Sequence, residues 1–156
     1  MRETTVCFTG HRDIPLRYVR AIELRLEAVL RDLIAKGYTD FAAGGALGFD
    51  TLAARMVLWL RDQYPHIKLH LILPCRNQTR GWSMRDIEIY EDILRDADDY
   101  LYTSEEYTRG CMHKRNRHLV DMSSVCVCYL TKDKGGTAYT VKYALNNNLR
   151  IINIAE

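Results

Sequence analysis

The chain predicts an α/β fold: a Rossmann-like, three-layer α/β/α domain with a mostly parallel sheet of about six strands. Three observations carry that expectation. Short β-branched, apolar runs alternate with longer segments whose apolar residues recur at helical spacing. Such alternation demands crossover connections, which are right-handed and cover both faces of the sheet. Glycines directly follow several of the strands, as they do where a strand turns sharply into a helix.

Thr4 to Thr9 is β-branched and apolar and reads as a buried first strand that stops at Gly10-His-Arg12. Ile14-Pro-Leu leads into a long helix. Val19, Ile22, Leu26, Val29, Leu30 and Leu33 form its apolar stripe, and Gly37 ends it. Thr39 to Ala43 is the second strand and feeds a glycine corner. Leu52, Ala53, Met56, Val57 and Leu60 then make the buried face of a second helix, stopped by Tyr64-Pro65. Ile67 to Leu73 is the third strand, cut by Pro74, and Cys75 to Trp82 is polar and irregular. A third helix covers about Ser83 to Ala97, followed by a short strand at Asp99 to Tyr102 and a loop from Ser104 to Gly110. The next helix, about Met112 to Met122, is unusually basic. Ser124 to Leu130 is an apolar strand, and Lys132 to Gly136 is a turn. A fifth helix spans about Thr137 to Leu145, capped by Asn146-Asn-Asn148, and Arg150 to Ile154 is the last strand.

A chain of 156 residues fits one domain spanning 1–156, without repeats, linkers or low-complexity segments. An apolar share of 47% and a charged share of 27% belong to an ordinary soluble globular protein. A net charge of +2 argues against non-specific nucleic-acid binding as the main task. Met1-Arg-Glu-Thr runs straight into a strand, which predicts no signal peptide. No apolar run reaches the roughly 18 residues of a membrane span. The five cysteines, Cys7, Cys75, Cys111, Cys126 and Cys128, show no C-x-x-C pairing. They read as small buried hydrophobes in a reducing compartment, so a cytoplasmic location is expected.

In this fold class ligands bind beyond the carboxyl ends of the strands. Three such ends share a chemistry: Gly10-His11-Arg12, Gly44-Gly45-Ala46-Leu47-Gly48-Phe49-Asp50, and Gly135-Gly136-Thr137. The second and third open helices, whose first amides and dipole favour an anion, most often a phosphate. The spacing of the second corner is neither the G-x-G-x-x-G dinucleotide fingerprint nor a Walker loop. Arg12 is a bidentate phosphate partner or a surface arginine. His11 is a ligand or proton-transfer group, or makes a structural hydrogen bond. Asp50 accepts from a ribose hydroxyl, or only complements the helix dipole. Thr137 bonds a phosphate or caps its helix. Lys132 and Lys134 read as a solvated turn. Arg109, Lys114, Arg115 and Arg117 form a basic run with no acid among them, which is a solvated face or a polyanion site. No nucleophile elbow, H-E-x-x-H or zinc-spaced cluster occurs, so no metal and no catalytic set is predicted.

These motifs together resemble a known family. Thr9-Gly-His-Arg12, Gly44 to Asp50, Pro74 with Gln78 and Trp82, Arg115-Asn-Arg117 with Val120-Asp121, and Gly135 to Ala144 are similar to the YpsA-type family of the SLOG superfamily. That superfamily joins the DNA-processing protein DprA and the LOG nucleotide hydrolases. The resemblance runs in order along nearly the whole chain. It implies a Rossmann-like domain that binds a nucleotide or nucleotide-derived ligand of the ADP-ribose, NAD or nucleoside monophosphate type, with no further cofactor. Under it, Gly10, His11, Arg12, Gly44, Gly45, Ala46, Gly48, Asp50, Arg76, Gln78, Arg115, Asn116, Arg117, Gly135, Gly136 and Thr137 are the expected ligand residues. Gly44, Gly45, Gly48 and Gly136 would shape a backbone cradle, and Arg12, Arg76 and Arg117 would neutralise charge. Related proteins associate through this fold, which implies a homodimer.

Two departures matter. LOG enzymes carry P-G-G-x-G-T-x-x-E where this chain has Lys134-Gly-Gly-Thr-Ala-Tyr-Thr-Val-Lys142. A lysine in place of the glutamate cannot act as a catalytic carboxylate. Gly45-Ala-Leu-Gly-Phe-Asp50 also resembles the G-L-A-R-G-I-D stretch of DprA, which binds single-stranded DNA, but this chain lacks DprA's extra domains and strong positive charge. Three functions follow: a phosphate-ligand binder, an enzyme cleaving such a ligand with Asp50 or His11 in acid–base roles, and a single-strand nucleic-acid binder using the basic helix.

Overall fold

The computed structural model describes residues 2–155. A 3-10 turn at Arg2–Thr4 precedes β1 (Thr5–Gly10), α1 (Leu16–Ala35), β2 (Asp40–Ala43) and α2 (Phe49–Arg61). Then come β3 (Lys68–Leu73), α3 (Met84–Asp96), β4 (Asp99–Tyr102), α4 (Cys111–Asp121), β5 (Val125–Tyr129), α5 (Gly136–Asn146) and β6 (Arg150–Asn153). The expected elements all form, with ends shifted by only a few residues.

Local chemistry sets several of those ends. Gly37 takes φ +98°, and the Tyr38 N–H donates back to the Leu33 carbonyl at 3.1 Å, which closes α1. Ser83 caps α3 by accepting from the Asp86 N–H at 3.1 Å. At the end of α5, Asn148 takes the left-handed φ of 66° that an asparagine tolerates, and the Leu149 N–H returns to the Ala144 carbonyl at 3.0 Å.

The sheet runs β4-β3-β2-β1-β5-β6, and every adjacent pair is parallel. The chain therefore steps outward from β1 to β4, returns across the sheet to β5 on the other side of β1, and steps out again to β6. The point of reversal lies between β1 and β5, where an open α/β sheet leaves a crevice.

Alternation along the strands feeds two cores. Val6, Phe8, Phe41, Leu69 and Leu71 face Ile22, Leu26 and Leu30 of α1, Ala53, Val57 and Leu60 of α2, and Ile93 of α3. Cys7, Ala42, Ile72, Cys126 and Cys128 face Leu119 and Val120 of α4 and Val141 and Ala144 of α5. All five cysteines are buried, and none is in a disulfide. The three in the strands act as small apolar filling under α4 and α5.

At the amino ends of the strands, His70 of β3 lies between two carboxylates. Its Nε2 is 2.7 Å from Asp40 Oδ1 on β2, and its Nδ1 is 2.7 Å from Asp99 Oδ1 on β4. Burial alone would lower the imidazole pKa, but the hydrogen bonds to Asp40 and Asp99 outweigh it and raise it above the ordinary value. Burial likewise opposes ionisation of Asp40, and the bond from His70 overcomes it and holds that carboxyl below its usual range. This clamp ties three strands at the end of the sheet opposite the crevice.

Candidate functional site

The crevice opens where β1 and β5 end side by side, with Gly10 paired to Tyr129. It is a cavity of about 360 Å³. Gly10, His11 and Arg12 from the end of β1 line one side, and Gly135, Gly136 and Thr137 at the start of α5 line the other. Ala46 and Asp50 from the α2 corner and Arg115 and Asn116 from α4 also contribute. The three strand ends that sequence marks out thus meet around one space.

The two glycine corners differ in kind. The α2 corner is filled from inside the protein. Phe49 N–H donates to the His11 carbonyl at 3.1 Å, and Ala46 N–H donates to Asp50 Oδ2 at 3.1 Å. Arg115, only 3% exposed, donates through Nη1 to the Gly44 carbonyl and, at 3.5 Å, to that of Ile72; its Nε donates to Asn116 Oδ1 at 2.8 Å. A Cβ on Gly44 would lie 2.5 Å from Arg115 Nη1 and 2.9 Å from Asp50 Oδ2. A Cβ on Gly48, at φ +78°, would strike the Arg12 carbonyl, and one on Gly45, at φ +75°, would come within 2.6 Å of Leu73 Cδ2. Gly10 has no room for a side chain because the Phe49 ring lies against it. These glycines serve close packing of protein on protein, so the cradle expected at Gly44, Gly45 and Gly48 is occupied by the protein's own groups.

The α5 corner is open. Gly135 takes φ +98°, and no side chain caps the helix. A Cβ built on Gly135 or Gly136 meets no atom within 4 Å. The first amides of an eleven-residue helix therefore face the cavity uncovered. Lys132 and Lys134 line the same space. Both lysines are exposed, as the solvated turn expected from sequence requires, and that turn borders the cavity just before the second glycine pair.

His11 and Asp50 are the titratable groups of note here. Nε2 of His11 accepts from the Thr131 N–H at 2.9 Å, so the neutral ring carries its proton on Nδ1. Burial, and then the charge of Lys132, push the His11 pKa below its ordinary value. The imidazole is thus a neutral N–H donor at the crevice. Burial raises the Asp50 carboxyl above its usual range, opposed by the Arg115 charge and the Ala46 N–H.

A second cavity of about 300 Å³ adjoins the first and shares Arg12, Ala46 and Met112 with it. Trp82, Tyr107 and Met112 give it apolar walls, with Cys75, Asn77 and Gln78 alongside. The Arg12 guanidinium stands 5.7 Å from the centroid of the Trp82 ring. Gln78 Nε2 donates to the Gly44 carbonyl at 3.3 Å, while its Oε1 is buried without a hydrogen-bond partner.

Arg76 and Arg117 are not brought to the crevice. Arg76 pairs with Glu105 at 2.7 Å and lies over the Tyr102 ring. Arg117 donates to the Tyr139 hydroxyl at 3.1 Å rather than pairing with Asp121, which instead accepts from the Tyr143 hydroxyl at 2.8 Å. Among the described residues no group of three or more metal-ligating side chains converges, and no helix is long and apolar enough to cross a membrane.

Comparison with known proteins follows the same lines. The family model described as the YspA SLOG family matches residues 6–154. The chain is 32% identical over 133 residues to the uncharacterised SPbeta prophage-derived protein YoqJ of Bacillus subtilis, covering 77% of this chain and 78% of that one. It is 30% identical over 135 residues to a UPF0398 protein of Bacillus pumilus, covering 84% and 70% respectively. Two solved structures of DNA processing protein A share the fold. The Helicobacter pylori protein superposes with a TM-score of 0.67 at 18% identity, and the Streptococcus pneumoniae protein with 0.68 at 15%. Each covers 94% of this chain, which spans 63% and 48% of theirs. The Helicobacter pylori structure concerns that protein's single-stranded DNA binding mode.

Proposed function

The chain belongs to the YspA SLOG family, and from that premise we propose that it binds a nucleotide or nucleotide-derived ligand by its phosphate at the open corner of α5. The observation that carries this reading is the contrast between the two corners. One is filled by Asp50, Arg115 and the His11 carbonyl; the other presents uncapped helix amides beside Gly135 and Gly136, with nothing where their Cβ atoms would be. Helix amides and dipole favour an anion, and Lys132, Lys134 and Arg12 add positive charge around it. Neutral His11 donates from Nδ1 to a phosphate or sugar oxygen. Asp50, at the cavity floor, accepts from a ribose hydroxyl.

The elevated pKa of Asp50 supports a variant of this reading in which the bound ligand is also cleaved, with Asp50 as the acid–base group. The fold likeness to DNA processing protein A supports a second, in which the same corner takes a phosphate of single-stranded DNA.

Titration calorimetry with AMP, ADP-ribose and ribose 5-phosphate separates these readings, with product analysis of each mixture. Saturable binding without turnover is the expected result, and product formation would favour the enzyme. Absence of small-molecule binding, with an oligonucleotide affinity that falls steeply with salt, would replace the proposal by the nucleic-acid reading.

A further inference from the structure

The second cavity has a chemistry unlike the first, and the two share part of their lining. We propose that it is a nucleobase subsite selective for a base with an exocyclic amine, of which adenine is the probe, so that the ligand is a nucleotide rather than a phosphosugar. This deepens the phosphate reading and rests on it.

The argument is one of partition. The first cavity offers helix amides, lysines and a neutral imidazole N–H. The second offers an indole, a phenol ring and a thioether, with Arg80 and the amides of Asn77 and Gln78 at its polar edge. A nucleotide divides in the same way, with its anion at one end and a flat π system at the other. Arg12, Ala46 and Met112 line both cavities, so the two lie side by side at the distance one ligand can bridge. Each cavity alone is at the lower end of the ~300–1,000 Å³ range of small-molecule sites, and together they fall within it. Arg12 marks the junction, its guanidinium held over the Trp82 ring, within reach of the phosphate space on one side and the aromatic space on the other. Trp82 and Tyr107 supply stacking surface, which any base can use.

Base selectivity falls to Gln78. Its carboxamide makes one long bond, 3.3 Å to the Gly44 carbonyl, and leaves its oxygen buried and unpartnered. While Nε2 stays on the Gly44 carbonyl, the oxygen is the end of the carboxamide left to meet a ligand, and the broad terminal torsion lets it swing toward the cavity about that bond. It then offers an acceptor to an amine donor, and a base with a carbonyl at that position leaves the acceptor still unmet.

The test is a binding series by calorimetry with AMP, IMP and ribose 5-phosphate on the full chain, the Trp82→Ala variant and the Gln78→Leu variant. AMP is expected to bind about tenfold or more tightly than ribose 5-phosphate, the size of one base–aromatic stack. Trp82→Ala should bring AMP down to the level of ribose 5-phosphate and leave the latter unchanged, and Gln78→Leu should abolish the preference for AMP over IMP. Equal, saturable binding of AMP and ribose 5-phosphate would overturn the base subsite and leave the phosphate site standing. A preference for AMP that survives Trp82→Ala would also overturn it. Equal binding of AMP and IMP by the unmodified chain would overturn the selectivity. If none of the three binds, the phosphate reading falls and this one with it.

Discussion

Arg115 of α4 and Asp50 of α2 close on the same glycine: the guanidinium donates to the Gly44 carbonyl, and both side chains occupy the space where a Gly44 Cβ would lie. Neither side chain is more than 6% exposed. The corner between β2 and α2 is therefore held by a residue that is 71 positions away in sequence.

Gly44→Ala is expected to destabilise the protein by about 1–3 kcal/mol, because buried backbone and charged groups must shift for one methyl. In a chain of this size that lowers Tm by several degrees, roughly 2–4 °C per kcal/mol. Arg115→Leu should cost more, about 2–5 kcal/mol, because it strips the buried Gly44 and Ile72 carbonyls of their donor and removes the positive charge near Asp50. Thermal and denaturant melts of both variants measure this; a melt unchanged from the unmodified protein would remove the latch.

Gly136→Val should behave in the opposite way. Nothing stands within 4 Å of its Cβ position, so the fold accepts the side chain with a Tm change of about 2 °C or less. The isopropyl group enters the space proposed for phosphate, and AMP affinity should fall at least about tenfold. Retained affinity in a fully folded variant would place the phosphate elsewhere.

The clamp at His70 sets a pH window. Its folded pKa lies above the unfolded value, so its contribution is fully present below pH ~6.5 and is lost as pH rises through the folded pKa. Asp40 is shifted the other way, so its contribution is present above its unfolded pKa and lost as pH falls through the lowered one. Denaturant unfolding of the native chain should thus show lower stability at pH 9 than at pH 6. His70→Gln should show a smaller difference between the two, measured in the same buffers. An equal difference in both proteins would assign the pH dependence to other groups.

The thiols should be silent in the native state. All five cysteines are buried thiols outside any disulfide. The hydrogen bond with Cys7, then burial, push Cys126 well above the usual thiol range, and burial raises Cys75. An aromatic disulfide reagent should label none of them within minutes in native buffer and all five in denaturant. Rapid labelling of any one in native buffer would identify a local opening at that residue.

Strand–helix alternation made the fold legible from sequence, because apolar periodicity reports which side of each element is covered. The meeting of residues 10–12, 44–50 and 135–137 followed from parallel topology, which puts every strand end on one edge. The difference between the two glycine corners was not legible. Gly44-Gly45 and Gly135-Gly136 look alike in sequence, and only the fold brings Arg115 into the first and leaves the second open. Arg76 and Arg117 were misplaced for the same reason, since their partners Glu105 and Tyr139 are fixed by tertiary packing. Trp82 and Gln78 come from a segment without periodicity, whose position no pattern specifies.

The central place of β1 has a consequence for synthesis on the ribosome. It is made before the other five strands, yet its second hydrogen-bonding edge meets a partner only when β5, beginning at Val125, has been made. A nascent chain ending before that point carries an apolar strand with one side bare, open to pairing with a neighbouring polypeptide. Fragments released early should therefore precipitate or recruit chaperones, and the segment from Val125 onward acts as the cover that ends this exposure.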